Sequence, residues 1–262
     1  MNPSRTFIKK IIYKIFGEKV YSKAYTKGKI KDIQSGQLAE KEVDFIRHFI
    51  TNESFVLDIG ANYGHYAIEM AKLCPNGKVF AYEPIPFTFQ ILERIKAHFH
   101  ANNLMTYHAA VSETNGTLEM NLPLLDFGAP NTGVAYIGNS SPSKTIRHQV
   151  KTVKLDDQKF ERSIDFIKID IEGHEPQAFK GMEHLILTDR PVSLIEFSHP
   201  CLARANASPT EFANYLTSQL NLQFFEVNGK CLSLVDATTP PDGYYFLIPT
   251  EKISNYQDLI CP

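Results

Sequence analysis

The chain has 262 residues and four cysteines (Cys74, Cys201, Cys231 and Cys261), with no C-x-x-C pair among them. Such wide spacing argues against a zinc site and against a disulfide framework, and predicts a reducing, cytoplasmic setting. No apolar run approaches the roughly 18 residues needed to span a bilayer. The basic start lacks the apolar core and small-residue cleavage site of a signal peptide, so none is expected. Neither G-x-G-x-x-G nor G-x-x-x-x-G-K-[ST] occurs. That removes the dinucleotide fingerprint and the P-loop.

What is present is unevenly charged. The net charge of -2 divides into +8 over residues 1–31, with nine Lys/Arg and one Glu, and -10 over the rest. Within the basic stretch Phe7, Ile8, Ile11, Ile12, Ile15 and Phe16 recur at helical spacing, and Lys9, Lys10 and Lys14 fall between them. This is the pattern of a basic amphipathic helix. Two readings of residues 5–31 stay open. The apolar stripe packs on the main domain or a second subunit, or it docks peripherally on an anionic membrane. No nucleic-acid module accompanies the basic residues, so no nucleic-acid partner is expected.

Residues 1–37 therefore read as a separate segment, and 38–262 as the main domain. A helix is predicted over 39–50. Strand-like runs at 54–60, 78–84 and 105–112 then alternate with helical patterns at 62–73 and 86–103. This is the rhythm of an α/β parallel sheet with helices on both faces. An insertion at about 113–157 interrupts it, with a hairpin-like start at 116–124 and a Gly/Ser/Asn/Pro-rich loop at 126–144. Long loops of this kind are often functional, so 125–150 and 198–208 are the expected walls of a substrate site. The alternation resumes with strand 165–171, helix 176–187, strand 192–198 and helix 208–220. The end reads as antiparallel strands.

In "VLDIGANYGHY" (56–66) a strand runs into a glycine turn and a helix start. Gly60 and Gly64 permit close backbone approach, and Asn62 is a natural cap for the helix. Glu83 ends the next strand, where an acid in a doubly wound sheet meets ribose hydroxyls. In "DIEGHE" (170–175), Lys168, Asp170 and Glu172 alternate onto one strand face. The first and fourth parallel strands are expected to be neighbours, which puts Asp170 beside the glycine turn. Lys168 needs a buried partner, supplied by Asp58 or Asp170. Gly173 makes a turn, and Glu175 with Pro176 starts a helix. Glu172 has no evident structural duty, so Glu172 or His174 is the expected proton acceptor, with Asp170 orienting a ligand. Asp170 and Glu172 with His174 also suit a divalent cation, although no metal is assigned.

"DIGANYG", "AYEP", "LDD" (155–157), "FIKIDIEGHE" and "LIEFS", in this order, resemble the FkbM family of S-adenosylmethionine-dependent methyltransferases over about residues 54–199. The resemblance implies a Rossmann-like class I methyltransferase fold: a mostly parallel seven-stranded sheet with antiparallel C-terminal strands. It implies S-adenosylmethionine as cofactor and O-methylation of a small-molecule or glycan hydroxyl. Carried over by position, Asp58, Gly60, Asn62 and Gly64 line the methionine and ribose side. Glu83 binds the ribose, and Ala110 and Val111 flank the adenine. His174 departs from the family pattern, so no role is inherited for it. Two other readings are kept: a metal-dependent glycosyltransferase using Asp170 and Glu172, and a non-catalytic cofactor-binding scaffold.

Overall fold

The computed structural model describes residues 3–36, 41–137, 144–235, 238 and 240–262. Its centre is a run of parallel strands: β1 (Phe55–Ile59), β2 (Lys78–Tyr82) and β3 (Leu104–Tyr107). The next short strand, β4 (Ala110–Val111), leaves this sheet. It pairs with β6 (Thr145–Val153), which also pairs with β5 (Gly116–Pro123), to form a separate three-stranded sheet. The remaining strands are β7 (Phe166–Ile169), β8 (Val192–Phe197), β9 (Leu222–Asn228), β10 (Cys231–Leu234) and β11 (Gly243–Pro249). The main sheet runs β10-β9-β11-β8-β7-β1-β2-β3. Seven of these strands make the expected arrangement, with β11 antiparallel to both β8 and β9. An eighth, β10, extends the edge as an antiparallel partner of β9.

The helices are α1 (Pro3–Gln34), α2 (Lys41–Ile46), α3 (His65–Leu73), α4 (Pro86–Phe99), α5 (Glu175–Lys180), α6 (Glu183–Asp189), α7 (His199–Arg204) and α8 (Pro209–Asn214). They cover both faces of the sheet. Val56 of β1 enters the core with α2, α3 and α4, whereas Leu57 and Ile59 enter the core with α5, α6, α7 and α8. Every residue of β1 is buried, because a parallel strand covered on both faces has no wet side.

Several elements are shorter than the sequence pattern predicts. The helix expected over 176–187 is two helices, broken at Gly181. A Cβ there would lie 2.0 Å from the Ser112 carbonyl oxygen, so the chain can pass only as glycine. The helix expected over 208–220 ends as α8 and continues as a wider π-type turn, Tyr215–Gln219. The supposed loop 198–208 contains α7, capped by the Ser198 hydroxyl. Part of the loop expected over 126–144, residues 138–143, lies outside the described residues, as does the boundary expected near residue 37.

The cysteine reading needs correction. Cys231 and Cys261 form a disulfide that ties β10 to the C-terminal tail. The pairing was hidden because the partners are 30 residues apart and meet only through a tail pairing of Ile260 with Leu232. With this disulfide the cysteines no longer point to a reducing compartment. Among the described residues no helix is long and apolar enough to cross a membrane.

α1 does not follow one line. Gly17 sits at φ 72° and ψ -178°, a conformation essentially confined to glycine, and breaks the helix in two. The second half packs on the domain through Tyr21 and Ile33, and Tyr21 stacks on Phe87. The first half bends back beside it, placing the Lys9 ammonium 5.1 Å from the Tyr25 ring centroid.

Candidate active site

The turn after β1 is held by its own backbone. Gly60 and Ala61 both donate to the Tyr82 carbonyl at 3.0 Å. Gly60 has φ 80°, and a Cβ there would lie 2.0 Å from the Asp170 carbonyl oxygen. The glycine is therefore required by the approach of the β7 turn. Gly64 is favoured by its left-handed backbone (φ 90°), and a Cβ there would also meet the Leu92 side chain of α4 at 2.5 Å. Gly64, not Asn62, precedes the first residue of α3, and no side chain caps that helix. Asn62 instead adopts the left-handed region (φ 51°), and its amide nitrogen Nδ2 donates to the Thr132 carbonyl at 3.1 Å.

A cavity of about 330 Å³ opens over this turn. Its walls include Gly60, Asn62, Glu83, Asp170, Glu172 and Glu196, with Thr132 and Gly133 of the inserted segment opposite. Asp58 and Gly64 are not in the wall. Asp58 is fully buried behind it, paired with Lys168 at 4.0 Å, and burial raises its carboxyl to about 6. Ala110 and Val111 line a smaller apolar slot that shares Gly60, Pro84, Met120 and Ile171 with the main cavity. The structure thus joins Gly60, Asn62 and Glu83 in one wall, and Ala110 and Val111 in the adjoining slot.

Glu83 is buried at the end of β2 and accepts from the Asn62 and Ile85 backbone N–H groups at 2.9 and 2.8 Å. Burial nonetheless raises its carboxyl to about 7. Each oxygen keeps a second lone pair for a hydroxyl donor.

The turn after β7 is built differently. β7 lies parallel to β1, with Lys168 opposite Asp58, and the Asp170 N–H donates to the Ile59 carbonyl. The fourth strand is the neighbour of the first, as expected. Lys168 Nζ lies 3.3 Å from Asp170 Oδ2, which also accepts from the Tyr244 hydroxyl at 3.2 Å. Both expected partners of Lys168 are therefore present. Glu172 sits at φ 57° and Gly173 at φ 104°, where a Cβ would meet the Cys201 carbonyl oxygen at 2.2 Å. Glu175 accepts from the Ile171 N–H at 3.0 Å and opens α5, which bears out its structural reading.

Two residues of this turn make contacts that the sequence pattern did not predict. Glu172 has a structural duty: its Oε2 accepts from Arg204 at 3.1 Å and from the Cys201 thiol at 3.3 Å. His174 is not among the residues that line the main cavity. It lines the apolar slot and bonds the Ser112 hydroxyl through Nε2 at 3.0 Å. Burial lowers its pKa to about 4, so the ring is neutral and weakly basic at neutral pH.

Sequence reasoning missed Glu196 as a site residue. It belongs to β8 and enters the cavity beside Asp170. Burial, together with the Asp170, Glu172 and Glu175 carboxylates, pushes its carboxyl up to about 8. Its signal was the acid in "VSLIEFS", at the end of a strand adjacent to "KIDIE". Asp170, Glu172 and Glu196 can each offer one oxygen within 4.8 Å of the others, a spacing that could hold a divalent cation. Lys168 already places a positive charge beside Asp170.

A doubly wound sheet with β11 reversed between β8 and β9, and a glycine turn at the β1/β7 switch point, defines a class I methyltransferase fold. Within that class the chain belongs to the FkbM methyltransferase family, whose domain model matches residues 58–223. Methyltransferase sdnD of Sordaria araneosa is 27% identical over 167 residues, covering 51% of this chain. Methyltransferase 1 of Beauveria bassiana is 20% identical over 193 residues, covering 61% of this chain and 76% of its own length. Among solved structures, the FkbM methyltransferase of Methylobacillus flagellatus aligns at 17% identity and a TM-score of 0.49 over 76% of this chain. The aligned region is 62% of the sdnD length and 44% of the Methylobacillus chain.

Proposed function

We propose that the protein transfers a methyl group from S-adenosylmethionine to a hydroxyl of a small molecule or glycan. The observation that carries this reading is the buried Asn62 Oδ1, which has no hydrogen-bond partner, on a residue that lines the cavity over the β1 turn. A buried acceptor without a donor costs about 1–3 kcal/mol. A ligand bearing an N–H or O–H group removes that cost. Glu83 offers spare lone pairs to ribose hydroxyls, and Ala110, Val111 and Ile171 line an apolar slot of about 20 Å³ that would have to widen to admit a flat base. When bound, S-adenosylmethionine supplies an activated methyl group.

The chain's own residues then have two tasks. Walls from Thr132 and Gly133 on one side and Tyr244 on the other orient the acceptor, which can lower the barrier by several kcal/mol. A base must also take the hydroxyl proton, typically worth about 10²–10⁴-fold in rate. We assign this to Glu196, because its raised pKa makes it a stronger base than an ordinary carboxylate. Asp170 is held by Lys168 and Tyr244, and Glu172 by Arg204, so both are better suited to orienting. Family membership favours methyl transfer over glycosyl transfer.

The test is a melting-shift panel of S-adenosylhomocysteine, NAD and a UDP-sugar, followed by incubation with labelled methyl donor and hydroxylated acceptors. A ligand at 100 times its dissociation constant stabilises by about 2.7 kcal/mol. A shift with S-adenosylhomocysteine alone, plus label in an acceptor, supports the proposal. A shift only with the UDP-sugar overturns it. Binding without label transfer to any acceptor favours the scaffold. Loss of transfer in EDTA, restored by Mg²⁺, assigns the three carboxylates to a cation.

A further inference from the structure

The first half of α1 carries an apolar ridge that the described residues leave uncovered. At 3.6 residues per turn Phe7, Ile11 and Ile15 lie along one line with Ile8 beside it. Phe7 is 64% exposed, Ile8 55% and Ile15 69%. Phe16 and Val20 extend the exposed apolar surface past the break at Gly17. Ile12, one turn after Ile8, and Tyr13, on the far side, are partly buried and pack against the domain core. The helix thus satisfies the domain with one face and holds a second apolar face outward.

Charge selects what covers that face. Lys10 and Lys14 are exposed, one turn apart, along its edge. Residues 1–31 hold nine Lys/Arg and only Glu18 as an acid. A second copy of the same face would bring like charges together. An anionic bilayer accepts both features at once, with aliphatic and Phe side chains at the acyl boundary and Lys at the headgroups. Gly17 lets the ridge-bearing half leave the line of the half anchored by Tyr21 and Ile33, so docking requires no unfolding of the domain.

We propose that the first half of α1 docks the protein on an anionic lipid surface through Phe7, Ile8, Ile11 and Ile15, flanked by Lys10 and Lys14. The docked helix adjoins the cavity. In its second half Lys29 lies 4.1 Å over the ring of Tyr63, a wall residue, and Tyr25 hydrogen-bonds Thr132. Docking is independent of turnover and is read without it.

The experiment is co-sedimentation of the full chain with vesicles of phosphatidylcholine alone and of phosphatidylcholine mixed with phosphatidylglycerol. Binding is expected only to the anionic vesicles and is weakened by salt. Lys10→Gln with Lys14→Gln lowers partitioning by about thirtyfold, from roughly 1 kcal/mol per lysine. Phe7→Ser with Ile15→Ser abolishes it while the melting temperature stays unchanged, because both side chains are already exposed. Equal partitioning onto neutral and anionic vesicles, or none onto either, overturns the proposal. So does a dimer in light scattering that Phe7→Ser with Ile15→Ser dissolves while vesicles stay unbound, since a second copy would then cover the ridge.

Discussion

The turns after β1 and β7 face each other across the switch point, and they solve opposite problems. The β1 turn leaves polar atoms unanswered: Asn62 Oδ1 has no donor, and Glu83 is buried with lone pairs to spare. The β7 turn answers nearly everything: Asp170 has Lys168 and Tyr244, Glu172 has Arg204 and Cys201, and Glu175 has the Ile171 amide. A turn with open acceptors awaits donors from a ligand. A turn whose charges are already fixed presents a field, and on the proposed function proton transfer is assigned to Glu196, raised by burial and by the carboxylates of that turn.

The two turns touch at Gly60. Gly60→Ala forces a Cβ against the Asp170 carbonyl and requires φ 80° of a non-glycine residue. The expected cost exceeds about 3 kcal/mol, with both turns displaced. Urea unfolding and S-adenosylhomocysteine titration check it, and a variant with wild-type stability would separate the turns.

Reduction of Cys231–Cys261 is a control remote from both turns. Opening a loop of this length is expected to cost about 2–4 kcal/mol. Calorimetry with and without reductant measures it, and S-adenosylhomocysteine affinity is expected to stay unchanged. A loss of affinity would show that the turns depend on the edge of the sheet.

Glu83 gives a pH signature. Its folded-state pKa of about 7 lies above its ordinary value near 4.5. Its contribution to apo stability is therefore full at low pH and falls as pH rises between those values. A ribose hydroxyl prefers the ionised carboxylate, so affinity runs the other way. S-adenosylhomocysteine binding is expected to weaken by about tenfold per pH unit below about 7. Calorimetric titration across that range tests it, and Glu83→Gln flattens the dependence. Smaller still is Glu172→Gln, expected to cost about 1 kcal/mol of stability through the weakened Arg204 bond and to change turnover less than tenfold.

The main frame was legible in the sequence because it rests on local patterns. The strand-turn-helix at 56–66, the acid after β2 and the neighbouring of β1 and β7 follow from periodicity and one topological rule. The partner assignments were not legible. Glu172 meets Arg204 across 32 residues, Thr132 receives Asn62 across 70, and Gly181 is fixed by Ser112. Each depends on where separate elements come to rest. For the same reason Glu172 looked unemployed in sequence and Glu196 went unassigned: one strand's alternation says nothing of the acid on the strand beside it.

The division of labour between the two turns is tested most directly by Glu196→Gln, measuring methyl transfer against pH alongside S-adenosylhomocysteine affinity. The expected result is a turnover about 10²–10⁴-fold lower with cofactor affinity unchanged, and loss of the rise in rate as pH approaches about 8. Wild-type turnover with the same pH profile would contradict the assignment of proton transfer to Glu196.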